Sequence, residues 1–245
     1  MQGTQKITKE KIARYAVFGV CQLFSVFSFI YFLITGKPSE AFAGALSVAF
    51  VCLPYLAEKL FKMQIALPMY AFILLYAVCP MLGHSYKFYY FIPWWDTLLH
   101  TVGGVVFAVF GAFLPKTILK KERVSIWLCA LFGLFFSVSV SAFWEIIEYT
   151  ADSLFLTDMQ QDTFVHAVYS HLLGDELGGM GRIEEIFLVT VNGTKLEGYI
   201  DLGIIDTMTD IIFETLGALV YAVFYLIDKG KHISFRYIGR TQRIE

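Results

Sequence analysis

Eight ionisable side chains stand at the ends of apolar stretches, and their spacing is that of an α-helix. Asp96 and His100 are four apart. Glu145, Glu148 and Asp152 follow at intervals of three and four, and Asp206, Asp210 and Glu214 at intervals of four. Residues three and four apart share one face of a helix, so each set forms a stripe. One imidazole among many carboxylates is a donor set for a divalent cation. It suits Mg²⁺, Mn²⁺ or Ca²⁺ better than a structural Zn²⁺ site, which favours Cys and His. The candidate cation ligands are Asp96, His100, Glu145, Glu148, Asp206 and Asp210. His100, Glu148 and Asp210 are the candidate acid–base residues. Asp96, Glu145, Asp152, Asp206 and Glu214 are the candidate binding residues. The plainer readings are a structural hydrogen-bond network and, for Asp96, Asp152 and Asp206, solvated helix ends favoured by a helix start or a cap.

The elements that must hold these stripes are membrane spans. Of 245 residues 57% are hydrophobic and only 16% charged, where soluble domains run at about 25% charged. This composition excludes a disordered chain, a basic nucleic-acid-binding domain and a disulfide-stapled module. Six stretches reach the roughly 17–25 residues that cross a bilayer. They are Ile12–Thr35, Ala41–Ala57, Gln64–Gly83, Trp94–Leu114, Ser125–Ile147 and Asp206–Ile227. The expected class is all-α, a polytopic helix bundle forming a single membrane domain over 1–245. Kinks are expected at Pro54, Pro68 and Pro80.

Lys and Arg set the orientation. Fifteen of the 19 fall in the amino-terminal segment, the second and fourth connections and the tail, all on one side. Lys37, Lys87, Arg182 and Lys195 fall on the other. Both termini are therefore expected to be cytoplasmic, in a bacterial plasma membrane. The first apolar run, about 24 residues, exceeds the 7–15 of a signal peptide core, so it reads as a retained span. Cys21, Cys52, Cys79 and Cys129 all lie within spans and read as small core residues. In this topology the fourth and sixth spans enter from outside and the fifth exits to it. The three stripes should then meet in the outer half of the membrane, with Gly103, Gly104 and Gly217 permitting close helix approach.

The long outer loop, 150–205, has two expected parts. Thr157 to Leu173 reads as a helix, with Thr157 and Gln160 as a capping box and Phe164, Val165, Val168, Leu172 and Leu173 as its apolar face. Gly174 to Gly181 ends it. Asn192-Gly193 between the runs Phe187–Val191 and Thr194–Tyr199 predicts a β-hairpin.

At these residues a family resemblance emerges. Asp96-Thr-Leu-Leu-His100, Trp144-Glu-Ile-Ile-Glu148 and Asp206-Thr-Met-Thr-Asp210 with Leu216-Gly-Ala218 resemble the YjdF family (DUF2238) of bacterial inner-membrane proteins. More distantly the pattern is similar to VanZ-like proteins, although this chain has Glu148 where that pattern has Gln, and Asp210 and Glu214 near its Asn. The resemblance covers Trp94 to Tyr221. It implies a multi-pass membrane protein. The VanZ-like side implies a link to the cell envelope.

Three functions fit. The first is recognition of a lipid or cell-envelope component by an acidic, His-containing outer pocket. The second is a divalent-metal-dependent hydrolase or phosphotransferase acting on a lipid-linked substrate. The third is a proton- or cation-coupled transporter. The expected partners are the bilayer and a lipid or envelope precursor, with no nucleic acid.

Overall fold

The computed structural model describes residues 2–61, 63–121, 123–230 and 238–240. The chain is helical, with short strand pairs. Its helices are α1 (Gln2–Ile34), α2 (Pro38–Phe61), α3 (Leu67–Ser85), the single turn α4 (Phe88–Phe91), α5 (Trp95–Leu119), α6 (Ile126–Phe155) and α7 (Ile204–Ile227). All except α4 are long and apolar enough to cross a membrane, which gives the six expected spans. Their surfaces carry exposed large apolar side chains, among them Leu23, Phe27, Phe135 and Phe224. Exposed apolar faces of this kind suit a lipid surround. All four cysteines are free thiols.

The chain divides into two compact units, one of Met1–Phe143 with Asp210–Glu245, the other of Trp144–Thr209. In the first unit α1 packs on α2 and α3. Val51, Leu74 and Met81 are among its most buried side chains. Small residues allow the close approach: Gly44 of α2 faces the backbone of Phe29, and Ser25 and Ser47 bond across the two helices at 2.8 Å. Arg14 ties the other end. One guanidinium nitrogen donates to both Glu58 oxygens at 2.6 Å and the other to the Ile65 carbonyl at 2.5 Å. Its plane lies 4.0 Å over the Tyr70 ring.

Helix ends follow local chemistry. Pro54 and Pro80 lie inside α2 and α3. Pro68 lies in the first turn of α3, where no intrahelical partner awaits its missing N–H, so the kink expected there has no cause. Gln64 belongs to the strand β1 (Met63–Ile65) rather than to α3. β1 pairs antiparallel with β8 (Ile238–Arg240). α5 runs past Leu114 and stops where Lys120 turns left-handed at φ 53°, its N–H returning to the Lys116 and Thr117 carbonyls. α6 continues beyond Ile147 to Phe155. Lys62, Lys231, Arg236 and Arg243, counted for the orientation, lie outside the described residues.

In the second unit the helix expected over Thr157–Leu173 does not form. β2 (Phe164–Val165) pairs with β7 (Tyr199–Ile200), and β3 (Val168–Ser170) pairs with β4 (Gly181–Ile183). A single 3₁₀ turn, His171–Leu173, follows β3. The apparent capping box fails because Thr157 turns its hydroxyl back to Asp152 at 2.6 Å. The hairpin does form. β5 (Val189–Val191) and β6 (Thr194–Leu196) pair around Asn192 (φ 49°) and Gly193 (φ 86°). Two positive φ values in a two-residue loop match the twist of the flanking strands.

Candidate functional site

In the first unit α5 and α7 meet at glycines. A Cβ on Gly104 would lie 2.0 Å from the Glu214 carbonyl, and one on Gly217 would lie 2.1 Å from the Thr101 carbonyl. Only glycine lets the two backbones come this close. Gly111 and Gly133 do the same for α5 and α6, where a Cβ on Gly111 would meet the Gly133 Cα at 2.8 Å. On the α3 side the Tyr76 hydroxyl donates to the Leu99 carbonyl at 2.7 Å. α5 is thus fixed on three sides by backbone-level contacts.

The register of α5 on α7 brings four of the expected residues together. His100 Nε2 lies 3.3 Å from Asp210 Oδ2 and 3.8 Å from Asp96 Oδ1. His100 Nδ1 lies 3.6 Å from Glu214 Oε2. His100, Asp210 and Glu214 are buried, and Asp96 is partly exposed. Ligand atoms of Asp96, His100 and Asp210 all fall within 4.8 Å of one another, a grouping that fits a metal ion. The contacts also give the direction of the helices. Asp96 and His100 face Asp210, and Gly104 faces Glu214 and Ala218. Numbers rise together, so α5 and α7 run the same way.

Ser137 of α6 is a site residue that the spacing argument missed. It is fully buried, and its hydroxyl lies 3.2 Å from both Glu214 Oε1 and the Gly104 carbonyl. A signal was present. Ser137, Ser141 and Glu145 recur at intervals of four, one stripe of polar groups in an apolar helix.

The other four expected residues belong to the second unit. Glu145 and Glu148 are buried on α6. Asp152 accepts from the Thr157 hydroxyl and from the Met159 and Gln160 amides at 2.6, 2.7 and 2.8 Å, and so shapes the chain as it leaves α6. Asp206 accepts from the Gln161 amide at 3.0 Å. Gln160 bonds through its side-chain amide to the Thr207 hydroxyl. Asp201 ties the same segment to the start of α7, accepting from the Thr163, Gly203 and Ile205 amides. What burial it has pushes its carboxyl up, but these donors outweigh that and hold it below the usual range. Asp162 goes the other way. Desolvation and then the charges of Asp158, Asp201 and Asp152 raise it. His166 and His171 each place Nδ1 on a backbone carbonyl, of Ile186 and Gly179.

A family model described as a predicted membrane protein (DUF2238) matches residues 16–230. The chain belongs to the DUF2238 family. The match takes in α5, α6, α7 and the whole loop, so the candidate site of this DUF2238 protein lies within the family's own span. No curated protein and no solved structure gives a significant match. Nothing among these matches extends the likeness to VanZ-like proteins.

Proposed function

We propose that this multi-pass DUF2238 protein holds a divalent cation among its helices through Asp96, His100 and Asp210. We propose further that it uses this centre to recognise a lipid or cell-envelope component at the extracytoplasmic face of a bacterial plasma membrane. The observation that carries the reading is the convergence of one imidazole and two carboxylates within 4.8 Å. Charge supports it. Ionised, Asp96, Asp210 and Glu214 bear three negative charges, and His100 offsets one at most. A charged group in the membrane costs about 2.5–3.5 kcal/mol on insertion scales, and carboxylates crowded on one another cost more. A dication removes that excess and leaves coordination positions for an anionic headgroup, whose phosphoryl oxygens it would polarise. The orientation rests on the Lys and Arg asymmetry, with both termini cytoplasmic.

The test is equilibrium dialysis of detergent-purified protein against Mn²⁺, followed by elemental analysis. About one Mn²⁺ per chain is expected in the wild type and none above background in His100→Ala. Equal metal in both, or none in either, overturns the cation reading.

A further inference from the structure

We infer that Glu214, steadied by Ser137, is a positioning residue that presents His100 Nε2 to the Asp96–Asp210 pair. This makes the centre a mixed nitrogen–oxygen site that takes a first-row transition dication in preference to Mg²⁺ and Ca²⁺. The inference rests on the cation reading above and names the class of ion. Its basis is that the two ring nitrogens face different carboxylates. Nε2 looks to Asp210 and Asp96 at 3.3 and 3.8 Å, and Nδ1 to Glu214 at 3.6 Å.

A neutral imidazole carries its proton on one nitrogen and its lone pair on the other. A carboxylate beside Nδ1 favours the proton there, which leaves the Nε2 lone pair directed at the two aspartates. Metal-binding histidines are held in this way by an outer carboxylate, which fixes the ring and raises its basicity. The Nδ1–Glu214 separation exceeds a formed hydrogen bond, and Nδ1 is buried with no hydrogen-bond partner. A cation drawing on Nε2 makes Nδ1–H more acidic and tightens that contact.

Glu214 is itself constrained. Its other oxygen faces the Ser137 hydroxyl at 3.2 Å. Its backbone is locked against α5, because its carbonyl occupies the space a Cβ on Gly104 would need. The carboxylate that faces Nδ1 is therefore placed by a helix–helix contact as well as by a side chain. Ion preference follows from the donors. Mg²⁺ and Ca²⁺ are hard cations that take oxygen ligands, whereas imidazole suits Fe²⁺, Ni²⁺, Cu²⁺ and Zn²⁺. Mn²⁺, the weakest binder of the first-row series and the nearest to Mg²⁺ in its taste for oxygen, is the most demanding probe of the preference.

The test uses full-length protein in detergent with Mn²⁺ as the probe. Affinity is read from the resonance of free Mn²⁺, and nitrogen ligation from the ¹⁴N modulation of the spin echo. The wild type is expected to show nitrogen modulation and to keep its Mn²⁺ in equimolar Mg²⁺ or Ca²⁺. Glu214→Gln is expected to bind about ten- to a hundredfold more weakly, with the modulation still present at saturating Mn²⁺. Ser137→Ala, which touches no proposed ligand, is expected to weaken binding by a smaller factor, and Ser137→Thr to restore it. If Glu214→Gln does not fold, the two serine variants decide. Mn²⁺ bound without nitrogen modulation, bound equally tightly by Glu214→Gln or by Ser137→Ala, or displaced by equimolar Mg²⁺ overturns this inference and leaves the cation site standing. Failure of the wild type to bind Mn²⁺ overturns both.

Discussion

Asp162, just before β2, and Asp201, just after β7, belong to one loop and respond to it in opposite directions. Asp201 is held below its ordinary range by three backbone donors, against what burial it has. A carboxyl lowered in the fold lends stability that is present above its unfolded value, about 3.9, and lost as pH falls through the folded one. Amide exchange at Thr163 and Ile205, corrected for its intrinsic pH dependence, should therefore speed up in the wild type below about pH 4. Asp201→Asn should lose most of that acid response and exchange faster at neutral pH. Unchanged profiles would mean that these bonds do not hold the loop. Asp162 is raised, first by desolvation and then by Asp158, Asp201 and Asp152. The stability tied to its protonated form is complete below the unfolded value and lost as pH rises through the folded one. Asp162→Asn should therefore protect the loop at neutral pH, by an increment that shrinks with added salt because the group is exposed, and should make no difference in acid. At this scale the sequence was legible where helical spacing did the work. Asp96 and His100, with Asp210 and Glu214, are placed by intervals of four alone. Ser137 shares the interval of four with Ser141 and Glu145 but went unread, because a serine in an apolar helix passes for a small packing residue until its partner is known.

Elements were legible wherever a local rule decided them. Asn192-Gly193 formed its hairpin because a two-residue loop needs positive φ at both positions, and Asn and Gly supply it cheaply. The Thr157–Leu173 segment was misread because its i, i+3 and i+4 apolar pattern is also available to short strands that face a partner. Here the partners, β7 and β4, come from residues up to 36 positions away, which no local pattern reveals. The hairpin predicts its own sensitivity. Gly193→Val puts a β-branched residue at φ 86°, where strain of about 1–3 kcal/mol is typical. Exchange across Val189–Leu196 should rise about tenfold or more, while Mn²⁺ binding by the first unit stays unchanged. A glycine contact between helices makes the opposite prediction. Gly104→Ala must push α7 off α5, since the Glu214 carbonyl stands 2.0 Å from the new methyl. Overpacking of this kind costs about 1–3 kcal/mol, so thermal stability should fall and Mn²⁺ binding should weaken with it. Gly19→Ala is the control. Nothing lies within 4 Å of its added methyl, and alanine is the better helix former. If Gly104→Ala matches Gly19→Ala in both readouts, the close contact of α5 with α7 is wrong.

At the scale of the whole molecule, six spans would return both termini to one side of the membrane, and the Lys and Arg asymmetry predicts which side. The six apolar runs were legible because a bilayer demands about 20 apolar residues in a row, but their ends were not. A helix can keep its hydrogen bonds beyond the apolar run that crosses the bilayer, and α5 continues past Pro115 and Lys116, and α6 past Glu148 to Phe155. The charge count is insensitive to those few residues, because the fifteen to four division of Lys and Arg is drawn from whole connections. It predicts that Gly178 in the long loop faces outward and Lys229 after α7 faces the cytoplasm. Replacing the four native cysteines with serine or alanine and adding Gly178→Cys or Lys229→Cys makes the prediction a labelling experiment. A membrane-impermeant thiol reagent applied to intact bacterial cells should label the cysteine at 178 at once, and the one at 229 only after permeabilisation. The reverse pattern would invert the protein. Asp96 and Asp210, in the first turns of α5 and α7 or close to them, would then stand at the cytoplasmic face. An extracytoplasmic headgroup would no longer be a ligand for the proposed cation, even if the cation itself bound. Labelling of both in intact cells would instead require an even number of crossings between 178 and 229, and so rule out α7 as a single span between them.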